Sequence, residues 1–125
     1  MVRILGNQNS ILNQFIAELR DINIQNDYMR FRRNLERCGE IFAYELSKEL
    51  NFQSNQVQTP LGVAEINLHN ETIVLATILR AGLPLHQGML NYFDKAENGF
   101  ISAYRKYSND GTFRIQFEHI SCPNI

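Results

Sequence analysis

The sequence predicts an α/β protein in which N-terminal helices and a projecting β-arm precede the first half of a parallel-sheet core. Three observations predict this class. Apolar residues recur at helical spacing up to residue 50, a polar stretch with a turn signal follows, and a strand–helix–strand pattern fills residues 72–107. Within a single domain, we expect residues 1–55 to be helical, residues 56–71 to form the arm, and residues 72–125 to form a partial α/β core.

The composition is that of a soluble globular protein. The chain has 125 residues, a formal net charge of −1 and 44% hydrophobic residues. Balanced charge disfavours broad binding to nucleic acid, and no apolar run approaches the roughly 20 residues of a membrane span. The N-terminus lacks the pattern of a secretory signal. Cys38 and Cys122 lie far apart, so we expect reduced thiols in a cytoplasmic protein.

Two amphipathic helices are predicted at the start of the chain, over residues 9–20 and 27–50. Asn9 or Ser10 can cap the free amides of the first helix. Gly39 lies inside the second helix, where glycine costs about 1 kcal/mol relative to alanine. We therefore expect close packing or a bend at Gly39.

The arm is predicted from the turn signal at residues 59–62, with short strands at residues 56–58 and 63–66. Residues 72–79 are apolar throughout, which is typical of a parallel strand buried on both faces. Pro84 suits the first turn of the helix that follows. A turn at residues 96–99 then precedes a strand over residues 100–107.

The end of the sequence predicts a β-hairpin. Asp110 and Gly111 favour a tight turn, and Phe113, Ile115 and Phe117 alternate with polar residues, which predicts one buried face. A buried parallel strand needs neighbours at both edges and helices on both faces. Because one crossover and one hairpin do not supply them, either another chain completes the sheet or the protein is longer, and we expect the second.

Arg80 is the strongest candidate for a binding residue. It follows the apolar strand at a glycine-containing turn, and in open α/β sheets ligands bind beyond the carboxyl ends of the strands. An anion would be bound by free backbone amides beside a helix N-terminus, at Ala81, Gly82 and Leu83. The guanidinium of Arg80 would add bidentate hydrogen bonds to phosphate oxygens. The alternative is an exposed arginine in an ion pair with a neighbour.

Arg105 follows near the end of the next predicted strand. If the two strands are parallel neighbours, Arg80 and Arg105 share one edge of the sheet, which favours a polyphosphate site. The alternative for Arg105 is a solvated strand end. The arginines of the second helix are interpreted as a solvated face because acidic residues interleave with them. The histidines have no metal-ligand spacing, so neither a metal site nor a catalytic residue is assigned.

Residues 77–83, Thr-Ile-Leu-Arg-Ala-Gly-Leu, with Ala103-Tyr104-Arg105 one crossover later, resemble the uracil phosphoribosyltransferase family. Gln58-Thr59-Pro60-Leu61-Gly62 resembles the arm of that family, and the helical start also fits. The resemblance covers essentially the whole chain. Three positions differ: the family usually has proline at Thr77, glycine at Pro84, and a polar or acidic residue at Lys106.

The resemblance implies a phosphoribosyltransferase-like core and transfer of ribose 5-phosphate from 5-phosphoribosyl 1-diphosphate to uracil, giving UMP and pyrophosphate. It implies that Arg80, Ala81, Gly82 and Arg105 bind the donor, that Mg²⁺ accompanies its diphosphate, and that the protein is a homodimer. The family's phosphate loop and uracil-recognition segment have no counterpart in these 125 residues. The chain therefore resembles an N-terminal portion that is inactive alone.

Two other functions remain open on the sequence alone. Pyrimidine-operon attenuation proteins share the fold and bind RNA, although a net charge of −1 does not provide the broad basic surface expected for that role. A non-catalytic module that dimerises through the arm is the other alternative.

Overall fold

The computed structural model describes residues 1–124 and has the predicted α/β architecture. A 3₁₀ turn at Leu5–Asn7 comes first. The helices are α1 (Leu12–Arg20), α2 (Tyr28–Ser47) and α3 (Leu83–Tyr92). The strands are β1 (Phe52–Thr59), β2 (Gly62–His69), β3 (Val74–Leu79), β4 (Glu97–Tyr107) and β5 (Phe113–Ser121). None of the helices among these residues is long and apolar enough to cross a membrane.

Side-chain oxygens accept backbone hydrogen bonds at the starts of the first two helices. α1 begins at Leu12, later than the predicted residue 9, and the Leu12 amide donates to the Ser10 hydroxyl oxygen at 3.2 Å. The Asp27 carboxylate accepts from the Arg30 amide at 3.1 Å at the start of α2. Each acceptor satisfies a backbone donor that has no partner within the helix.

α1 and α2 are joined by a polar contact around a buried asparagine. Asn34 is 1% exposed and donates from Nδ2 to Glu18 Oε2 at 2.6 Å. Arg37 donates to Asn34 Oδ1 at 2.9 Å and lies over the Phe15 ring, 5.2 Å from its centroid. The hydrogen bond from Asn34, helped by Arg30, lowers the pKa of Glu18. Arg37 is thus a structural residue, not the solvated one that the sequence predicts.

Glycines allow α2 and α3 to cross at very short range. A Cβ at Gly88 would lie 1.9 Å from the Glu36 carbonyl oxygen, and one at Gly39 would lie 2.3 Å from the Leu85 carbonyl oxygen. This confirms the close packing expected at Gly39. Cys38, next to it, is buried, and burial raises the pKa of its thiol. Cys38 and Cys122 are both free thiols.

The arm is an antiparallel hairpin of β1 and β2, paired from Phe52–His69 to Thr59–Gly62 and therefore longer than predicted. Gly62 has φ +133°, which explains glycine at the turn. At the base, His69 makes edge contacts with Phe52 and Phe93, at ring-centroid distances of 6.1 and 6.4 Å. The contact with Phe93 attaches the arm to the end of α3, whereas the contact with Phe52 lies within the arm.

The second sheet has the order β3–β4–β5. β3 and β4 are parallel, with Val74 opposite Glu97 and Leu79 opposite Ser102, and α3 packs on β3. The strand–helix–strand prediction is confirmed. The predicted turn at residues 96–99 is wrong, because the Glu97 amide already donates to the Ile73 carbonyl at 2.9 Å and pairing begins there.

Two expectations about burial are also wrong. β3 has a neighbour on one side only, and its Ile78 side chain is 58% exposed, whereas Leu75 on the opposite face is buried. In the β4–β5 hairpin, Phe113, Ile115 and Phe117 are all more than half exposed. Apolar composition predicts a tendency to be buried, but burial requires a covering layer, and among residues 1–124 nothing covers these side chains.

Candidate anion-binding site at the carboxyl end of the sheet

The turn after β3 carries three of the four predicted binding residues. β3 ends at Leu79, the Leu79–Arg80 peptide bond is cis, and α3 begins at Leu83. The Gly82 amide donates to the Ile78 carbonyl at 3.1 Å, and the Leu83 amide donates to the Arg80 carbonyl at 3.2 Å. The expectation of three free amides is therefore wrong: of the three, only the Ala81 amide has no protein acceptor among the described residues.

Gly82 is required by the packing of this turn. A Cβ there would lie 2.1 Å from Thr77 Oγ1 and 2.7 Å from the Ile78 carbonyl oxygen. The chain at Gly82 therefore folds back directly onto the last residues of β3. This contact determines the position of Arg80 and of the Ala81 amide at the end of β3. The only sign of the contact in the sequence is the glycine itself.

Arg80 is an exposed cation without a carboxylate partner. Across the described residues its guanidinium makes no ion pair, so the structural alternative of a neutralised strand-end arginine has no contact to support it. Some other arginines, such as Arg20, also make no ion pair there, whereas Arg33 lies 3.2 Å from Glu36 and 3.6 Å from Glu40, as predicted for a solvated helix face. Arg80 thus remains available to an anion.

Arg105 lies on the neighbouring strand but not at its end. Ser102 is opposite Leu79, and β4 continues beyond it as part of the β4–β5 hairpin. At about 3.3 Å per residue, Arg105 lies about 10 Å further along the strand. Its guanidinium lies over the Phe113 ring, 5.1 Å from the centroid. The two arginines share the carboxyl side of parallel strands, while the side chain of Arg105 is packed against the hairpin.

A cleft next to the turn contains polar residues that sequence reasoning missed. It has a volume of about 640 Å³ and lies between α2, α3 and β4, with Leu83 and Pro84 at one end. His86 is 8% exposed, hydrogen-bonded through Nε2 to Asn98 Oδ1 at 2.7 Å, and 5.2 Å from the Phe100 ring centroid. No spacing rule could have paired His86 with Asn98, since the contact joins a helix to a strand.

The described residues offer no protein ligand set for a metal ion. Among residues 1–124, no group of three or more histidine, cysteine, aspartate or glutamate side chains could hold one. The donors at the turn are a guanidinium and an amide, which bind anions rather than cations. These donors therefore suit an anionic group.

The fold is that of an α/β protein with a candidate anion-binding turn at the carboxyl end of a parallel strand. Residues 6–117 match the family described as uracil phosphoribosyltransferase. A protein of that name from Porphyromonas gingivalis is 56% identical over 121 residues. Another, from Methanothermobacter thermautotrophicus, is 35% identical over 128 residues and covers the whole chain. The chain belongs to the uracil phosphoribosyltransferase family.

The relatives are considerably longer than this chain. The alignment with the Porphyromonas gingivalis protein covers 97% of the chain but 56% of that relative, and the Methanothermobacter alignment also covers 56% of its relative. A solved structure from Aquifex aeolicus matches with a TM-score of 0.77 and 24% identity, over 98% of this chain and 55% of that one. This structural likeness supports the fold.

Proposed function

We propose that the protein transfers ribose 5-phosphate from 5-phosphoribosyl 1-diphosphate to uracil, forming UMP and pyrophosphate in cytoplasmic pyrimidine salvage. Uracil N1 bonds to the anomeric carbon, the bond from that carbon to the diphosphate oxygen breaks, and the N1 proton leaves to solvent or a base. The observation that carries the proposal is the exposed Arg80 at the turn after β3, which makes no ion pair among residues 1–124, in a chain that matches the family over residues 6–117.

In this proposal the turn binds the diphosphate of the donor. Arg80 supplies paired N–H donors, and the Ala81 amide supplies another. The close packing of Gly82 against Thr77 holds these two residues in position. Arg105 contributes positive charge from the neighbouring strand. Negative charge builds on the diphosphate as it leaves, and donors already in place stabilise it without rearrangement. We assign these residues to donor binding and none of them to proton transfer.

Mg²⁺ enters the proposal as an ion that arrives with the diphosphate donor. When bound, it would neutralise part of the diphosphate charge. Because the described residues contain no cluster that could ligate it, no step of the proposal passes through a protein-held metal.

Donor binding is tested by kinetics of a protein of full family length that carries this sequence. UMP formation is measured over a titration of 5-phosphoribosyl 1-diphosphate at saturating uracil, for Arg80→Ala and for the control Arg20→Ala at the exposed end of α1. We expect Arg80→Ala to reduce kcat/KM at least about a hundredfold, because charge-assisted bidentate bonds to phosphate are strong. Arg105→Ala should have a milder effect in the same direction.

Equal, small effects of Arg80→Ala and Arg20→Ala would contradict the site. A large effect accompanied by an unchanged melting temperature would support it, since a structural role would reduce stability. Arg37 is not a suitable control, because it contacts Asn34 and Phe15.

The 125 residues by themselves are expected to form no UMP. The turn supplies contacts to one part of the donor, and positioning of both reactants provides much of the rate in such transfers. The assay is product detection with purified chain, uracil, donor and Mg²⁺. UMP produced above the rate without protein would contradict this expectation.

A further inference from the structure

His86 is a buried polar side chain that the proposed reaction does not use. It is the fourth residue of α3 and is 8% exposed. Asn98 Nδ2 donates to the Ala96 carbonyl at 3.3 Å, so Oδ1 of the same amide is turned to His86 and accepts from Nε2 at 2.7 Å. Burying a polar group is unfavourable unless it finds a partner, and the partner here belongs to β4. This hydrogen bond therefore joins the start of α3 to the neighbouring strand.

The same histidine is connected to the turn of residues 80–82 through its backbone and through packing. The His86 amide donates to the Gly82 carbonyl at 3.0 Å. The His86 ring lies 5.2 Å from the Phe100 ring centroid, and Phe100 is in register with Thr77 on β3. Thr77 is the residue against which Gly82 packs. His86 is thus bonded to the turn on one side and contacts the sheet beneath the turn on the other.

We propose that His86 is a positioning residue for the turn of residues 80–82. By bonding to Asn98 it fixes the first turn of α3 on β4, and so holds Arg80 and the Ala81 amide where they bind a phosphate group. The inference rests on the proposed function, which assigns these donors to the diphosphate. Donors stabilise developing charge best when they are already in place, and a small displacement of a positioning group costs much of the effect. His86 is not assigned to catalysis, because it is buried and Asn98 occupies its Nε2.

The experiment measures binding of inorganic pyrophosphate by isothermal titration calorimetry, in a protein of full family length that carries this sequence. His86→Leu keeps an apolar contact with Phe100 but removes the donor to Asn98, and Asn98→Ala removes the acceptor from the exposed side. We expect each to raise the dissociation constant about tenfold, because Arg80 and the Ala81 amide would be held less firmly. Thermal unfolding checks that both variants fold.

Two further variants separate positioning from a general effect on α3. His86→Gln can still donate from its side-chain amide to Asn98 and should recover most of the affinity. Gln87→Ala, next to His86 on the exposed side of α3, is the matched control and should bind pyrophosphate like the unchanged protein.

The decisive measurement repeats His86→Leu in the Arg80→Ala background. If His86 acts through the turn, the second substitution should change affinity less than about threefold, since residues that act together have non-additive effects. An equal factor in both backgrounds would overturn the positioning role. So would unchanged binding by His86→Leu and Asn98→Ala while Arg80→Ala weakens it, or failure of both variants to fold. Unchanged binding by Arg80→Ala would instead contradict the proposed function, and the role of His86 with it.

Discussion

Gly82 determines whether the Arg80 turn can form. Gly82→Ala would place a methyl group 2.1 Å from Thr77 Oγ1 and 2.7 Å from the Ile78 carbonyl oxygen. The threonine side chain can rotate, but the backbone carbonyl cannot yield without shifting β3. We therefore expect a loss of about 1–3 kcal/mol in the free energy of unfolding, as is typical of overpacking. Urea unfolding followed by circular dichroism measures it.

Gly6→Ala provides the control for this prediction, because a Cβ at Gly6 has nothing within 4 Å. Similar small changes for both variants would mean that the turn tolerates the methyl group, and close packing would then not be the reason for glycine at position 82.

Glu18 makes stability depend on pH. Its pKa is lowered from an ordinary value of 4.5, chiefly by the hydrogen bond from Asn34. A carboxyl whose folded-state pKa is lowered contributes stability above its unfolded pKa and loses it as the pH falls through its folded pKa. We expect the unchanged protein to be more stable than Glu18→Gln at pH 7, with the difference beginning to shrink as the pH falls below the ordinary value of 4.5 and disappearing below the lowered pKa of the folded state.

Urea unfolding at a series of pH values from 7 to 3 checks this prediction. Glu65→Gln, on the exposed arm, is the matched control. The difference in the free energy of unfolding between the unchanged protein and Glu18→Gln should shrink on acidification. If that difference grew instead, the role of Asn34 would be contradicted.

At the scale of elements, the crossing of α2 and α3 depends on two glycines, Gly39 in α2 and Gly88 in α3, each packed against the backbone of the other helix. Gly88→Ala would place a methyl group 1.9 Å from the Glu36 carbonyl oxygen. Alanine favours an isolated helix by about 1 kcal/mol over glycine, but here the contact is with backbone on the other helix. We expect net destabilisation of about 1–3 kcal/mol, measured by thermal unfolding. Gln87→Ala, on the exposed side of α3, should change stability by less than about 0.5 kcal/mol.

The arm exposes apolar side chains at its tip. β1 and β2 pair with each other, and His69 at the base of the arm contacts Phe93 at the end of α3. Leu61 at its tip is fully exposed, with Val63 beside it also exposed. The homodimer implied by the family resemblance is therefore proposed to form through the arm.

At the scale of the whole molecule, we expect that removing the tip of the arm abolishes self-association without affecting folding. Replacing residues 54–67 by a two-residue turn removes the exposed part of the arm but keeps its aromatic base. We expect the melting temperature to change little and the mass by light scattering to fall from dimer to monomer. Leu61→Asp should weaken the dimer without altering the fold. A dimer that persists after both changes would show that another surface mediates pairing.

The sequence by itself determined the order of elements and the place of the binding turn. Helical periodicity located α1 and α2, and Pro60 with Gly62 located the arm, because these signals depend on local backbone chemistry. The family resemblance rested on residues close together in the chain, such as those from Thr77 to Leu83, so it did not need the fold. Arg80 was identified from its position after an apolar strand.

Tertiary structure decided which groups are buried, paired or free. The amides of Gly82 and Leu83 are occupied, Arg80 has no carboxylate partner among residues 1–124, and Arg105 lies along a hairpin instead of at a strand end. The exposed side chains of Ile78 and Phe117 could not be predicted either. The physical reason is that apolar composition measures the gain from burial, whereas burial itself depends on which element covers the sheet, and that is a property of packing between distant segments.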